Sequence, residues 1–134
     1  MPQPTRWFVK VSLLYLLLGL SLGILQDTGI GRSLRFFPTY LHVLTFGWLT
    51  QLIFGIAIWM FPAYSKEQPR GPAWSGWATF LALNFGMLLR LVFEPLQSVR
   101  PSSFGGWMLI LSAILQWLAG VAFFVNIWPR IKGR

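Results

Sequence analysis

Four apolar runs, each about the 20 residues that carry a helix across the hydrocarbon core of a bilayer, fill most of this 134-residue chain. They cover roughly residues 7–26, 39–62, 74–93 and 104–128. The breaks between them, QDTGIGRS, KEQPRGP and EPLQSVRPSS, are short and rich in turn residues. Only 10% of the chain is charged, against about 25% in soluble domains. So little polar surface cannot enclose so much apolar surface, and membrane lipid must cover it. Lipid offers no hydrogen bonds to a backbone, so each run must satisfy its own amides as a helix. The fold class that follows is an all-α membrane protein, a single domain over residues 1–134 with four transmembrane helices. Short breaks make neighbouring helices antiparallel. Pro62, Pro95 and Pro129 stand where the second, third and fourth helices should stop.

The net charge is +8. On a soluble protein this would point to nucleic acid. Here the charges flank the apolar runs, so they orient the chain, and no nucleic-acid partner is expected. Arg6, Lys10, Lys66, Arg70, Arg130, Lys132 and Arg134 fall on one side of the membrane, with Arg32, Arg35, Arg90 and Arg100 towards the other. The excess of positive charge faces the cytoplasm. This places both termini there, with the chain integral to the cell (inner) membrane. Arg6 and Lys10 before an apolar run resemble a secretory signal, but no small-residue cleavage site follows, so the first run is read as a retained helix. Trp7, Trp59, Trp74, Trp77, Trp107 and Trp128 lie near helix ends, as an interfacial aromatic belt requires. The chain has no cysteine, which excludes disulfides, thiolate metal sites and thioether-linked heme.

At about 100° per residue, the second helix has two faces. His42, Phe46, Leu49, Ile53, Ile56 and Met60 lie on one side, and Gly47, Gln51 and Gly55 on the other. The second set is a small-residue seam that lets another helix approach. Gly19 and Gly23, one step beyond Tyr15, form a similar seam on the first helix. Ser112, Gln116 and Gly120 do so on the fourth. Gln51, Asn84 and Gln116 are read as hydrogen-bonding glue between helices. Arg90 and Glu94 share a face of the third helix. They form either a self-satisfied pair or an anion-binding arginine held in place by its acid.

His42 is the sole histidine, and an ionisable group inside a span is a functional hypothesis by default. Three uses stay open: a hydrogen bond to a neighbouring helix, a proton relay, or a metal ligand. Neutral imidazole is a common axial ligand of heme iron. Phe46 and Leu49 below it are apolar and bulky, as a porphyrin wall must be. Arg32 and Arg35, a few residues before it, suit heme propionates, which arginine holds through paired hydrogen bonds.

The stretch GRSLRFFPTYLHVLTFGWLTQLIFGIAIWMFP, residues 31–62, resembles the second helix of heme–copper oxidase catalytic subunits. The C-type oxidases and the related nitric oxide reductases are closest. That family has an arginine before a histidine near the outer helix end and an aromatic–glycine pair shortly after it. Here these positions are Arg35, His42 and Phe46-Gly47. The resemblance implies that His42 is an axial ligand of a low-spin heme; without cysteine that heme is b-type rather than covalently attached, and the residues read as its site are Arg32, Arg35, Phe46, Leu49 and Arg90. The family subunit is a pseudo-threefold ring of four-helix arcs, and this chain resembles one arc. It lacks the further histidines that copper and the second axial position require, so terminal oxidase activity is not expected of it alone. The implied assembly is a homo-oligomer, trimer or dimer, in which His42 from two copies ligates one heme and passes electrons to a respiratory redox partner. A non-catalytic accessory or assembly subunit of a respiratory membrane complex is the second reading. A small transporter or channel is the third, since no span has a broken or charge-lined middle.

Overall fold

The computed structural model describes residues 1–131; Lys132 and Arg134, two of the charges counted on the cytoplasmic side, lie outside the described residues. Helix α1 spans Gln3–Gln26 and a short α2 spans Gly29–Leu34. Helix α3 spans Phe37–Met60, α4 spans Ala73–Val99, and α5 spans Ser103–Ile127 before a 3-10 turn at Trp128–Arg130. Among the described residues no strand occurs, and α1, α3, α4 and α5 are long and apolar enough to cross a membrane.

Local chemistry sets most helix ends. Pro4 sits in the first turn of α1, where its missing N–H leaves nothing unbonded. The Ser102 hydroxyl accepts from the Gly105 amide at 3.0 Å and caps α5. Phe61 is extended (φ −63°, ψ 152°), as the residue before a proline prefers, so Pro62 ends α3 as expected. Pro95 does not end its helix. It is buried, and α4 continues through it to Val99. A membrane helix absorbs an internal proline when neighbouring helices and side chains support the interrupted turn. The next turn is re-formed, with Ser98 Oγ donating to Glu94 O and Arg100 N to Leu96 O. The link to α5 shrinks to a tight corner in which Gln97 donates to Ser102 O and accepts from Ser102 N, both at 3.1 Å. The first break is not wholly a loop either. Thr28 caps α2, and Arg35 ends it in the left-handed region (φ 47°).

The seam on α3 packs against α1. The buried residues of α1, Thr5, Phe8, Ser12, Tyr15, Gly19 and Leu22, follow alternating steps of three and four, the repeat of a coiled-coil seam. A Cβ on Gly47 would lie 2.8 Å from the Tyr15 ring, and one on Gly23 would lie 3.1 Å from Tyr40. Gly55 abuts Phe8, and Gly19 abuts Leu44. The α3 stripe runs Thr39, Val43, Gly47, Gln51, Gly55, in steps of four. An α-helix turning every 3.6 residues or so would carry such a stripe off its face. Residues Val43–Thr50 are π-helical. The wider i→i+5 turn swings the stripe back, so five small or short residues stay in line.

Helices α4 and α5 form the second hairpin. Gly105, Ser112, Ala119 and Asn126 are buried at intervals of seven on α5. Ser112 Oγ donates to Gly86 O across the interface at 2.6 Å. Of the expected Ser112–Gln116–Gly120 seam, Ser112 and Gln116 face α4 and Gly120 does not, since a Cβ on it would meet nothing within 4 Å. Of the three amides read as glue, only Gln116 reaches another helix, at Met87 Sδ. Asn84 bonds Phe80 O of its own helix, and Gln51 is buried with neither polar atom partnered. The hairpins meet through Phe8 edge-on to Phe80 and Phe54 stacked on Phe123 (3.9 Å between centroids).

Arg130 closes the bundle at the end opposite α2. Its side chain is buried, and it donates to Pro62 O (2.8 Å), Ile58 O (2.9 Å), Phe61 O (2.8 Å) and Asn126 Oδ1 (2.9 Å). Asn126 donates in turn to Ser75 Oγ and Arg70 O, and Arg70 donates to Trp59 O. Two arginines counted in the sequence as orienting charges therefore also cap α3.

Gly47→Ala is expected to destabilise the bundle by about 1–3 kcal/mol, the usual range for overpacking a tight site. Gly120→Ala is expected to be neutral or to stabilise by up to about 1 kcal/mol through helix propensity. Unfolding of both variants in mixed detergent micelles measures the contrast.

Candidate functional site

The α2 end of the bundle brings His42, Arg90 and Glu94 together. Pro38 starts the first turn of α3, His42 closes that turn, and the π-helical stretch begins at the next residue. Such stretches recur at functional sites. His42 Nδ1 lies 2.8 Å from Pro38 O and 3.2 Å from Glu94 Oε1 on α4. A carbonyl and a carboxylate oxygen only accept, so Nδ1 must carry the proton. In a neutral ring the lone pair then sits on Nε2, which has no hydrogen bond among the described residues. The Phe46 ring stacks beside the imidazole at 6.2 Å and 25°.

Glu94 joins the two helices. Its Oε1 also lies 3.3 Å from Arg90 Nη1, one turn back on α4. The Glu94 and Arg90 side chains are 12% and 15% exposed, and His42 is 30% exposed. One carboxylate oxygen thus serves both an arginine and the histidine. Glu94 Oε2, Arg90 Nε and the hydroxyl of buried Thr39 are buried without partners. Below the cluster, Phe46, Leu49 and Ile53 are exposed along the face of α3 that turns away from α1.

Arg32 and Arg35 do not join this cluster. They line a neighbouring cleft of ≈ 580 Å³ with Gln26, Asp27, Phe37 and Pro38. Pro38 belongs to both places, since its carbonyl holds His42. A second cavity of ≈ 290 Å³ lies at the opposite end, walled by Pro2, Pro4, Ile58 and residues 67–73. It is remote from the histidine.

The sequence-derived candidates therefore divide. His42, Phe46 and Arg90 come together, Leu49 continues their face, and Arg32 with Arg35 makes an adjoining basic cleft. Arg90 contacts Glu94, a pairing common to both of its readings. The contact between His42 and Glu94 was not foreseen. Its only trace in the sequence is that both are ionisable groups near the same end of two apolar runs. Among the described residues, no three His, Cys, Asp or Glu side chains converge as a metal site. Comparison with protein-family models, curated proteins and solved structures finds no match for this chain.

Removing one partner of a buried ion pair strands the other. Glu94→Ala is expected to cost about 3–5 kcal/mol, and the Arg90→Met, Glu94→Met double variant much less than the sum of its singles. A double-mutant cycle by micellar unfolding reads this coupling.

Proposed function

We propose that this chain is a heme-binding integral membrane protein resembling one arc of a heme–copper oxidase subunit, and that it transfers electrons. The observation that carries the reading is the state of His42. Its Nδ1 is hydrogen-bonded to the Pro38 carbonyl and lies 3.2 Å from the Glu94 carboxylate, which leaves Nε2 as a ligand nitrogen. Metal-bound histidines are usually fixed through the other ring nitrogen in this way.

The residues fit the group on one side. Phe46, Leu49 and Ile53 offer an apolar wall beside His42, and Arg32 and Arg35 supply cations for propionate carboxylates in the cleft next to Pro38. The chain has no second histidine to fill the other axial position. A second copy supplies one in this reading, so the assembly is a homodimer or homotrimer with His42 from two copies on one b-type heme. Bound heme supplies a one-electron redox centre. His42 would hold the group through Nε2, Arg32 and Arg35 would anchor its carboxylates, and the Phe46 face would keep water away. The charge asymmetry favours cytoplasmic termini and the inner membrane, with a respiratory protein as redox partner.

Protein purified from heme-sufficient cells is expected to show a Soret band and a b-type pyridine hemochrome. His42→Ala is expected to lose both while keeping its helical content. A colourless wild-type protein would overturn the reading, and its co-purification with a larger respiratory complex would favour the accessory-subunit alternative. Because the chain has no cysteine, single cysteines placed at either terminus report topology directly, with labelling expected only from the cytoplasmic side.

A further inference from the structure

We propose that Arg90 and Glu94 form a positioning device for His42. The pair reinforces the Nδ1–H tautomer that the Pro38 carbonyl requires, ties the ring to α4 and sets how strongly Nε2 donates electrons.

The geometry is unlike that of a pair built for stability. Strong arginine–carboxylate pairs are two-pronged, with parallel hydrogen bonds to both oxygens. Here Arg90 reaches one oxygen with one nitrogen, while Arg90 Nε and Glu94 Oε2 stay buried and unpartnered. The oxygen that Arg90 does reach is the one that faces His42 Nδ1. A two-pronged pair would leave that oxygen less available to the imidazole. The observed arrangement trades the stronger pair for a carboxylate turned towards the histidine.

Pro38 O and Glu94 Oε1 have separate jobs. Pro38 belongs to the same helix as His42, so its carbonyl orients the ring relative to α3. Glu94 belongs to α4, so its carboxylate orients the ring relative to the neighbouring helix. A carboxylate on Nδ1–H also gives the ring partial imidazolate character and makes Nε2 more basic. Arg90 draws charge from the shared oxygen and moderates that effect. The two residues therefore act on His42 in opposite directions.

The effect on bound iron rests on the heme reading; the tautomer does not. With only one histidine in the chain, protein labelled with ¹⁵N-histidine gives a single, self-assigned pair of ring signals by NMR. In heme-free protein with a neutral ring, the wild type is expected to show a protonated Nδ1 and a bare Nε2. Glu94→Gln is expected to shift the Nδ1 signal towards a weaker hydrogen bond, and Arg90→Gln towards a stronger one. In heme-loaded protein, Glu94→Gln is expected to raise the midpoint potential and to weaken heme binding about 10- to 100-fold. Arg90→Gln is expected to lower the potential. Opposite signs in both measurements support the proposal. An Nδ1 signal unmoved by Glu94→Gln, or two variants that shift it the same way, would overturn it. A colourless protein whose ¹⁵N signals still move as stated defeats the heme reading and leaves the positioning role standing.

Discussion

The guanidinium of Arg130 holds the ends of the membrane helices in register. It is buried, and among the described residues no acid lies beside it; a buried charge is costly unless its hydrogen bonds are met. Four acceptors offset that cost, and two of them, the Ile58 and Phe61 carbonyls, lie at the C-terminal end of α3. Those carbonyls have no helical partner of their own, and they carry the negative end of the helix dipole. One side chain therefore satisfies a helix terminus that lipid cannot. Through Asn126 and Ser75 it also locks α5 and α4 to the same point. With that end closed, the glycine and serine seams determine how the two hairpins lie along the rest of their length.

The candidate site sits at the other end, and its placement follows from the same packing. Small residues on one face of α3 bring α1 close enough for Tyr15 to lie on Gly47. The opposite face is then left free of α1, with Phe46, Leu49 and Ile53 outward and His42 at its head. The continuation of α4 past Pro95 matters here. Had the helix ended at that proline, Glu94 would be the last residue of a fraying turn. Instead it sits within a helix that is held on both sides of it, with a carboxylate that reaches His42.

Much of this was legible in the sequence because the controlling signals are local. Hydropathy marks the spans, and the step-of-four glycines mark the α1–α3 seam. Of the residues expected on the His42 face, Phe46 stacks beside the imidazole. What was not legible depends on contacts between distant segments or on compensation. Pro95 reads as a stop until neighbouring helices support the turn around it. Gly120 reads as a seam residue until α5 is seen to use Gly105, Ser112, Ala119 and Asn126 instead. Arg130 reads as an orienting charge until the α3 carbonyls are placed around it. The meeting of Glu94 with His42 needed the register of α3 against α4, which no periodicity within one helix encodes.

The π-helical stretch Val43–Thr50 has a consequence for how this site varies. A helix with such a stretch behaves like an α-helix that has accepted an extra residue. One residue more or less turns everything beyond it by about 100°. The angle between the packing stripe and His42 is thus stored in the length of the chain between them, and not in the identity of any one side chain. Substitutions along the stretch leave that angle alone. A single deletion there would keep the hydropathy, the seam residues and the histidine, yet turn the imidazole to a different side of the bundle.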